Sequence, residues 1–149
     1  MSFNEARDYV YRLLKFRMRS ENEIIQRLKR KKFSDDIIKQ TLEYFKRLGL
    51  LDDWKFSQIW IEERLKKPFG LYRIKKELKQ KGVSTEIIEQ VLAEKRGNYQ
   101  EEAIIAKVLE DKVKKIKTPL SLKDKRRLYN WFIQRGFDAE KVSEVITSL

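Results

Sequence analysis

Three segments of the chain repeat one pattern of apolar residues, and this repetition constrains the fold more than any other feature. Each segment carries an apolar i, i+4 pair, an apolar residue just before a helix-capping residue, and a second i, i+4 pair. The second segment follows the first at an interval of 50 residues, and the third follows the second at 54. A period near 50 indicates one small unit used three times, which favours a long binding surface over the single pocket of an enzyme. The matching residues are Ile24, Leu28, Phe33, Ser34, Ile38 and Leu42; Ile74, Leu78, Val83, Ser84, Ile88 and Leu92; and Leu128, Phe132, Phe137, Asp138, Val142 and Ile146.

The spacing predicts an all-α fold of three tandem three-helix, helix-turn-helix-like repeats that form an elongated array. No segment alternates cleanly at period two, and the chain has only 5 Gly and 2 Pro. We expect the repeats to occupy residues 1–50, 51–97 and 98–149. The predicted helices are 4–17, 20–31 and 35–48; 53–66, 70–81 and 85–95; and 99–116, 121–135 and 139–148.

Local signals mark where these helices begin and end. Ser20 with Glu23 three residues later has the form of a capping box. Gly82 and Gly136 follow second helices, where a left-handed residue closes a helix well. Lys32 occupies the equivalent place in the first repeat, so that turn either does without glycine or is built differently.

Two segments are predicted to join the repeats. In the first, Gly49 ends a helix, Leu50 and Leu51 are expected to fill the seam, and Asp52 or Asp53 caps the next helix. The two aspartates could instead be a catalytic carboxylate pair, but neighbours at a helix start do not point together into a cleft. The second joint, residues 95–98, is more polar and is a predicted hinge.

The charge and the missing residue types limit the function. Lys and Arg number 35 against 23 Asp and Glu, giving +12, which favours contact with nucleic acid or another polyanion. The absence of Cys and His excludes disulfides, the usual zinc sites and a histidine general base. The five glycines match no phosphate-binding loop. We therefore expect no enzyme activity, no catalytic, cofactor-binding or metal-binding residue, no membrane span and a cytoplasmic monomer.

Basic side chains recur beside the apolar pairs of the second helices, and these are the predicted contact residues. Lysines outnumber arginines on the second helices as a whole, which favours charge-driven contact that tolerates any base sequence. A plain solvated face is the alternative for any single one of them. The candidates for binding a partner or nucleic acid are Lys29, Arg30, Arg73, Lys76, Lys79, Arg126 and Arg127.

Aromatic residues gather in the first half of the second repeat and could stack on bases. Phe56 and Trp60 are four residues apart and are better explained as core. Phe69 and Tyr72 flank the Pro68–Gly70 turn and are predicted to be the most exposed of the set.

Three spaced motifs resemble those of the RecX regulatory proteins. Arg17, Arg19, Ser20, Glu23, Ile24 and Leu28 are similar to the signature R-x-R-S-x-x-E-L-x-x-x-L. The run Gly49 to Asp53 with Phe56, Ser57 and Trp60 resembles G-L-I-D-D-x-x-F-A-x-x-W. Gly70, Arg73, Ile74, Glu77, Leu78, Lys81, Gly82 and Val83 resemble G-x-x-R-I-x-x-E-L-x-x-K-G-I. Ser57 and Lys32 depart from the commoner alanine and glycine, and the third repeat carries less of the motif.

The resemblance implies a non-enzymatic regulator that binds the filament of RecA recombinase on single-stranded DNA. Such a protein restrains ATP hydrolysis, strand exchange and SOS co-protease activity. Whether free DNA is bound as well stays open. Two other functions remain possible on the residues alone: a direct DNA-binding module acting as a transcription or architectural factor, and a protein scaffold whose charge serves solubility.

Overall fold

The computed structural model describes residues 1–95 and 99–149, and all regular structure within them is helical. Every helix begins and ends within three residues of its predicted position, so the predicted all-α fold is confirmed. No helix in the described ranges is both long and apolar enough to cross a bilayer. The helices are α1 (Phe3–Phe16), α2 (Glu21–Arg30), α3 (Asp35–Arg47), α4 (Asp53–Leu65), α5 (Leu71–Gln80), α6 (Thr85–Lys95), α7 (Glu101–Val113), α8 (Leu122–Gln134) and α9 (Ala139–Thr147).

Side-chain caps begin several of these helices, as predicted. Ser20 and Ser121 each form a capping box, with Glu23 and Asp124 respectively as the returning acid. Each box satisfies two backbone N–H groups that would otherwise lack a partner. Short helices such as α2, with 10 residues, are marginal alone, so these caps act together with tertiary packing.

Left-handed residues close the helices that precede tight turns. Gly49, Gly82 and Gly136 have φ values of 73°, 80° and 86°, which confirms the predicted use of glycine. Lys32 takes the same conformation at φ 67°. The first repeat therefore builds the same turn from a lysine, although the left-handed region disfavours a residue with a Cβ.

One compact unit of the fold comprises residues 1–60 and 78–91. Within it α3 packs against both α1 and α2. Each fully buried Leu, Ile or Phe contributes about 1.5–3 kcal/mol by leaving water, so this small core outweighs any single cap. The core residues are Ala6, Val10, Ile24, Leu28, Ile38, Phe45 and Leu51.

The other compact unit comprises residues 61–77 and 92–149. Here α9 packs against both α7 and α8, which repeats the arrangement of the first three helices. The predicted apolar pattern of the third repeat lies in this core. Its residues are Ile105, Leu109, Leu128, Phe132, Phe137, Val142 and Ile146.

The joints differ from expectation in one respect. Leu51 is buried in the core of the first compact unit, whereas Leu50 is 48% exposed and does not fill a seam. Its backbone N–H instead closes the end of α3 by donating to the carbonyl of Phe45.

Residues 96–98 of the predicted hinge lie outside the described residues. The repeat boundaries at residues 50 and 97 stay predictions, because the compact units group residues by packing and not by repeat.

Candidate partner-binding surface

Six of the seven predicted contact residues have exposed side chains. Lys29 and Arg30 are the last two residues of α2. None of the six takes part in an ion pair within the part of the chain that the structure describes. Their charges are therefore available to an anionic partner. The six, here called the basic faces, are Lys29, Arg30, Lys76, Lys79, Arg126 and Arg127.

Arg73, the seventh, is half-buried and contacts an aromatic ring. Its guanidinium lies 4.5 Å from the ring centroid of Phe69. The guanidinium groups of Arg135 and Arg64 lie 4.3 Å and 5.1 Å from the same centroid. Each arrangement has the geometry of a cation–π contact. Arg73 thus supports the packing of its own unit, which separates it from the basic faces.

The aromatic prediction was right for Tyr72 and wrong for Phe69. Tyr72 is 61% exposed, whereas Phe69 is 7% exposed beneath the three arginines. Phe56 is buried and its ring stacks on that of Trp60, as the four-residue spacing predicted. Phe69 is therefore not a platform for a base.

The start of α2 forms a joint with the turn after α5, and residues of the sequence motifs build it. The hydroxyl of Ser20 donates a 2.6 Å hydrogen bond to the carbonyl oxygen of Lys81. A Cβ on Gly82 would lie 2.3 Å from the Cβ of Asn22, so only glycine fits there. Arg17 and Lys81 both pair with the carboxylate of Glu23, which also accepts the backbone N–H of Ser20. These motif residues hold the joint together, so their first role is structural.

The two aspartates of the first joint cap two different helices. Asp52 accepts the backbone N–H groups of Trp54 and Lys55 at the start of α4. Asp53 reaches back 32 residues to accept the N–H of Glu21 at 2.9 Å. The capping interpretation is confirmed. Burial of its carboxyl group raises the pKa of Asp53 to about 6, against the opposing effect of the bond from Glu21.

An equivalent joint lies within the second compact unit. The N–H groups of Gly70 and Tyr72 donate to the carbonyls of Arg135 and Gly136, at 2.8 Å and 3.1 Å. The Nε of Arg135 donates to the carbonyl of Pro68 at 2.8 Å. The start of a second helix thus meets the glycine turn of a later repeat in both units, and these joints fix the starts of α2 and α5, which carry four of the six residues of the basic faces.

The sequence reasoning passed over a further basic run at the end of α7. Lys112, Lys114, Lys115 and Lys117 occupy six residues there. Lys112, Lys115 and Lys117 line surface clefts beside Trp131. The density of lysines in this segment could have identified it as a basic surface. The prediction considered only the second helices, and these residues lie on none of them.

The fold is that of a helical repeat protein with a basic surface: its short helices come in groups of three, its turns are tight, and its second helices carry exposed cations. A family model described as the first three-helix domain of RecX matches residues 6–45, and one described as the second matches residues 52–92. The chain belongs to the RecX family of regulatory proteins.

Individual relatives agree with this assignment, and a solved structure has the same fold. The regulatory protein RecX of Chlorobium phaeobacteroides strain BS1 is 36% identical over 146 residues, covering 97% of this chain and 93% of the relative. The RecX of Prosthecochloris aestuarii is 34% identical and covers 100% and 98%. The crystal structure of RecX from Lactobacillus salivarius has a TM-score of 0.82 at 16% identity, covering 99% and 96%. The low identity of that structure means that it supports the fold alone.

Proposed function

We propose that this chain binds the filament of RecA recombinase on single-stranded DNA and restrains its ATP hydrolysis, strand exchange and SOS co-protease activity. Membership of a family of regulatory proteins supports a regulatory, non-catalytic role. The observation that carries the proposal is the set of exposed, unpaired cations on second helices. A filament is long, repetitive and polyanionic, so several weak contacts from one array act together as a multivalent set.

The basic faces are proposed to contact the filament, with Lys76 and Lys79 on α5 as the most direct test. Both are exposed, and both lie off the buried Ile74 and Leu78 stripe of that helix. Arg73 is left unchanged in the test, because removing its guanidinium would disturb the packing around Phe69.

The experiment measures binding to recombinase filaments assembled on labelled single-stranded DNA, over roughly 50 to 200 mM salt. The variant is Lys76→Gln with Lys79→Gln. Its matched control, Lys39→Gln with Lys55→Gln, removes the same charge from exposed positions that are not on second helices. The salt slope is the steepness with which the logarithm of the binding constant falls as the logarithm of the salt concentration rises. Removing one phosphate-binding cation should lower this slope by roughly 0.7, hence by up to about 1.4 for two. The control should keep the slope of the unmodified protein.

Equal affinity and equal slope for both variants would exclude α5 as part of the binding surface. Leu78→Ala serves as a folding reference, because truncating this fully buried residue should cost about 2–5 kcal/mol and abolish binding together with helicity. Sequence-selective binding to naked duplex DNA without recombinase would instead favour the direct DNA-binding module.

A further inference from the structure

Two adjoining clefts lie in the second compact unit, between the end of α7, α8 and the segment 65–69. The first has a volume of about 460 Å³, and the apolar side chains of Ile104, Val108 and Trp131 line it with Lys66 and Lys67. The second has the same volume of about 460 Å³ and as many cationic side chains as the first, including Lys117 and Arg127, but fewer apolar ones. Lys112, Lys115 and Trp131 line both clefts and so form the wall that they share.

The shared indole ring is covered by cations. The ammonium group of Lys112 lies 3.8 Å from the ring centroid of Trp131, and the guanidinium of Arg135 lies 4.8 Å from it. Neither Lys112 nor Lys115 has an ion pair with a described residue. An arriving ligand therefore has to displace Lys112 only from a weak interaction with the ring.

The charge of the two clefts selects the ligand. Six cationic side chains face only two acidic ones, Asp111 and Asp124. The carboxylate of Asp124 already accepts the backbone N–H of Ser121 at 3.0 Å. An anion is therefore favoured, and the apolar side chains and indole of the first cleft favour an anion that also carries a flat apolar group. In a nucleic acid strand every base is joined through its sugar to a phosphate. This matches two basic clefts that share one indole, of which the first is richer in apolar side chains.

We propose that the two clefts form one nucleotide-binding site for single-stranded nucleic acid. The base enters the first cleft and stacks on Trp131, while Lys115, Lys117 and Arg127 hold the adjoining phosphates. Base stacking on an aromatic ring is on average stronger than the cation–π contact of a half-buried lysine, so the base displaces the ammonium group of Lys112. That group is then free to bind phosphate. This site rests on the proposed function and deepens it by naming a direct contact with the DNA strand.

The test uses the full chain without recombinase, so that its outcome is separate from that of filament binding. The probes are a labelled oligothymidylate and an abasic strand of the same length, which carries the phosphates without the bases. Trp131→Leu should weaken thymidylate binding by roughly 5- to 150-fold and leave abasic binding nearly unchanged. Trp54→Leu, a tryptophan change outside the clefts, should alter neither.

Charge variants test the phosphate half of the site. Lys115→Gln with Lys117→Gln should weaken both strands and lower the salt slope by up to about 1.4. Lys107→Gln with Lys114→Gln removes the same charge from exposed positions on or beside α7 that line neither cleft, and it should keep the slope. Circular dichroism establishes that each variant is folded.

Trp131→Phe keeps much of the packing and covers the case in which Trp131→Leu fails to fold. Thymidylate should quench the tryptophan emission of the unmodified protein more than that of Trp131→Phe. Equal quenching, or an unchanged ratio of thymidylate to abasic affinity in a folded Trp131 variant, would overturn the site. So would stronger binding of an acidic peptide of equal charge, since the clefts would then be a peptide site. Loss of the site with intact filament inhibition would leave the proposed function standing.

Discussion

The hydroxyl of Ser20 donates a 2.6 Å hydrogen bond to the carbonyl oxygen of Lys81, 61 residues further along the chain. The same hydroxyl oxygen accepts the backbone N–H of Glu23 and so caps α2. One side chain thus begins a helix and fixes that helix to a later turn. Ser20 is fully buried, so neither bond can be replaced easily by water.

Ser20→Ala should therefore cost more than the removal of a cap. Removing a cap alone costs typically about 1 kcal/mol, and leaving the Lys81 carbonyl without its partner should add about 1–2 kcal/mol. Ser34→Ala is the control, because Ser34 caps α3 on the exposed surface. Urea denaturation measures the free energy of unfolding of both variants. Equal decreases would show that the bond to Lys81 contributes nothing to stability.

Gly136→Ala should destabilise the chain far more than Gly49→Ala. Both glycines have positive φ, so both substitutions carry a left-handed penalty of about 1–2 kcal/mol. A Cβ at Gly49 meets nothing within 4 Å, whereas one at Gly136 would lie 2.4 Å from the backbone N of Arg73. Backbone cannot move aside as a side chain can, so we expect Gly136→Ala to cost about 2 kcal/mol more. Thermal denaturation of both variants checks the difference, and similar midpoints would contradict the close packing of this joint.

Lys32→Gly should stabilise the protein. Lys32 has a φ of 67°, and relief of this left-handed strain should exceed the entropy that glycine adds to the unfolded chain. The expected gain is about 0.5 kcal/mol in the free energy of unfolding, measured by urea denaturation. Lys31→Gly is the control in the same turn: Lys31 has a φ of −79°, so glycine there should destabilise by about 0.5–1 kcal/mol. A decrease of stability in both variants would mean that the lysine conformation costs little.

Asp53→Asn should remove part of the pH dependence of stability. Burial raises the pKa of Asp53 from 3.8 to about 6, so the folded state holds the proton more tightly than the unfolded state. The contribution of this group to stability is therefore greatest below about pH 4 and is lost as the pH rises through about 6. Asparagine can still accept the N–H of Glu21. Asparagine has no proton to lose, so the variant should gain about 1–2 kcal/mol relative to the unmodified protein over that pH range, measured by denaturant unfolding. Parallel pH profiles would show that Asp53 does not titrate there.

Local sequence patterns predicted the helices, but they did not predict the interactions between residues that are distant in the sequence. The capping box of Ser20 and Glu23 lies within four residues, so sequence spacing alone could identify it. The burial of Phe69 depends on Arg64, Arg73 and Arg135, which only the folded chain brings together.

In the candidate surface, too, some features could be predicted from local sequence and others depend on the tertiary fold. The exposure of Lys76 and Lys79 followed from their positions beside Ile74 and Leu78 on a helix. The reach of Asp53 to Glu21 could not be predicted, because it depends on how α4 is placed against the start of α2. The clefts beside Trp131 likewise require the tertiary fold.

The most direct test of the proposed function is the rate of ATP hydrolysis by RecA recombinase on single-stranded DNA, titrated with this protein. The rate should fall with increasing protein and reach a plateau. Lys76→Gln with Lys79→Gln should require a higher concentration for half the effect, while Lys39→Gln with Lys55→Gln should match the unmodified protein. An ATPase rate that stays unchanged at a concentration where the protein saturates the filament would contradict the proposed function.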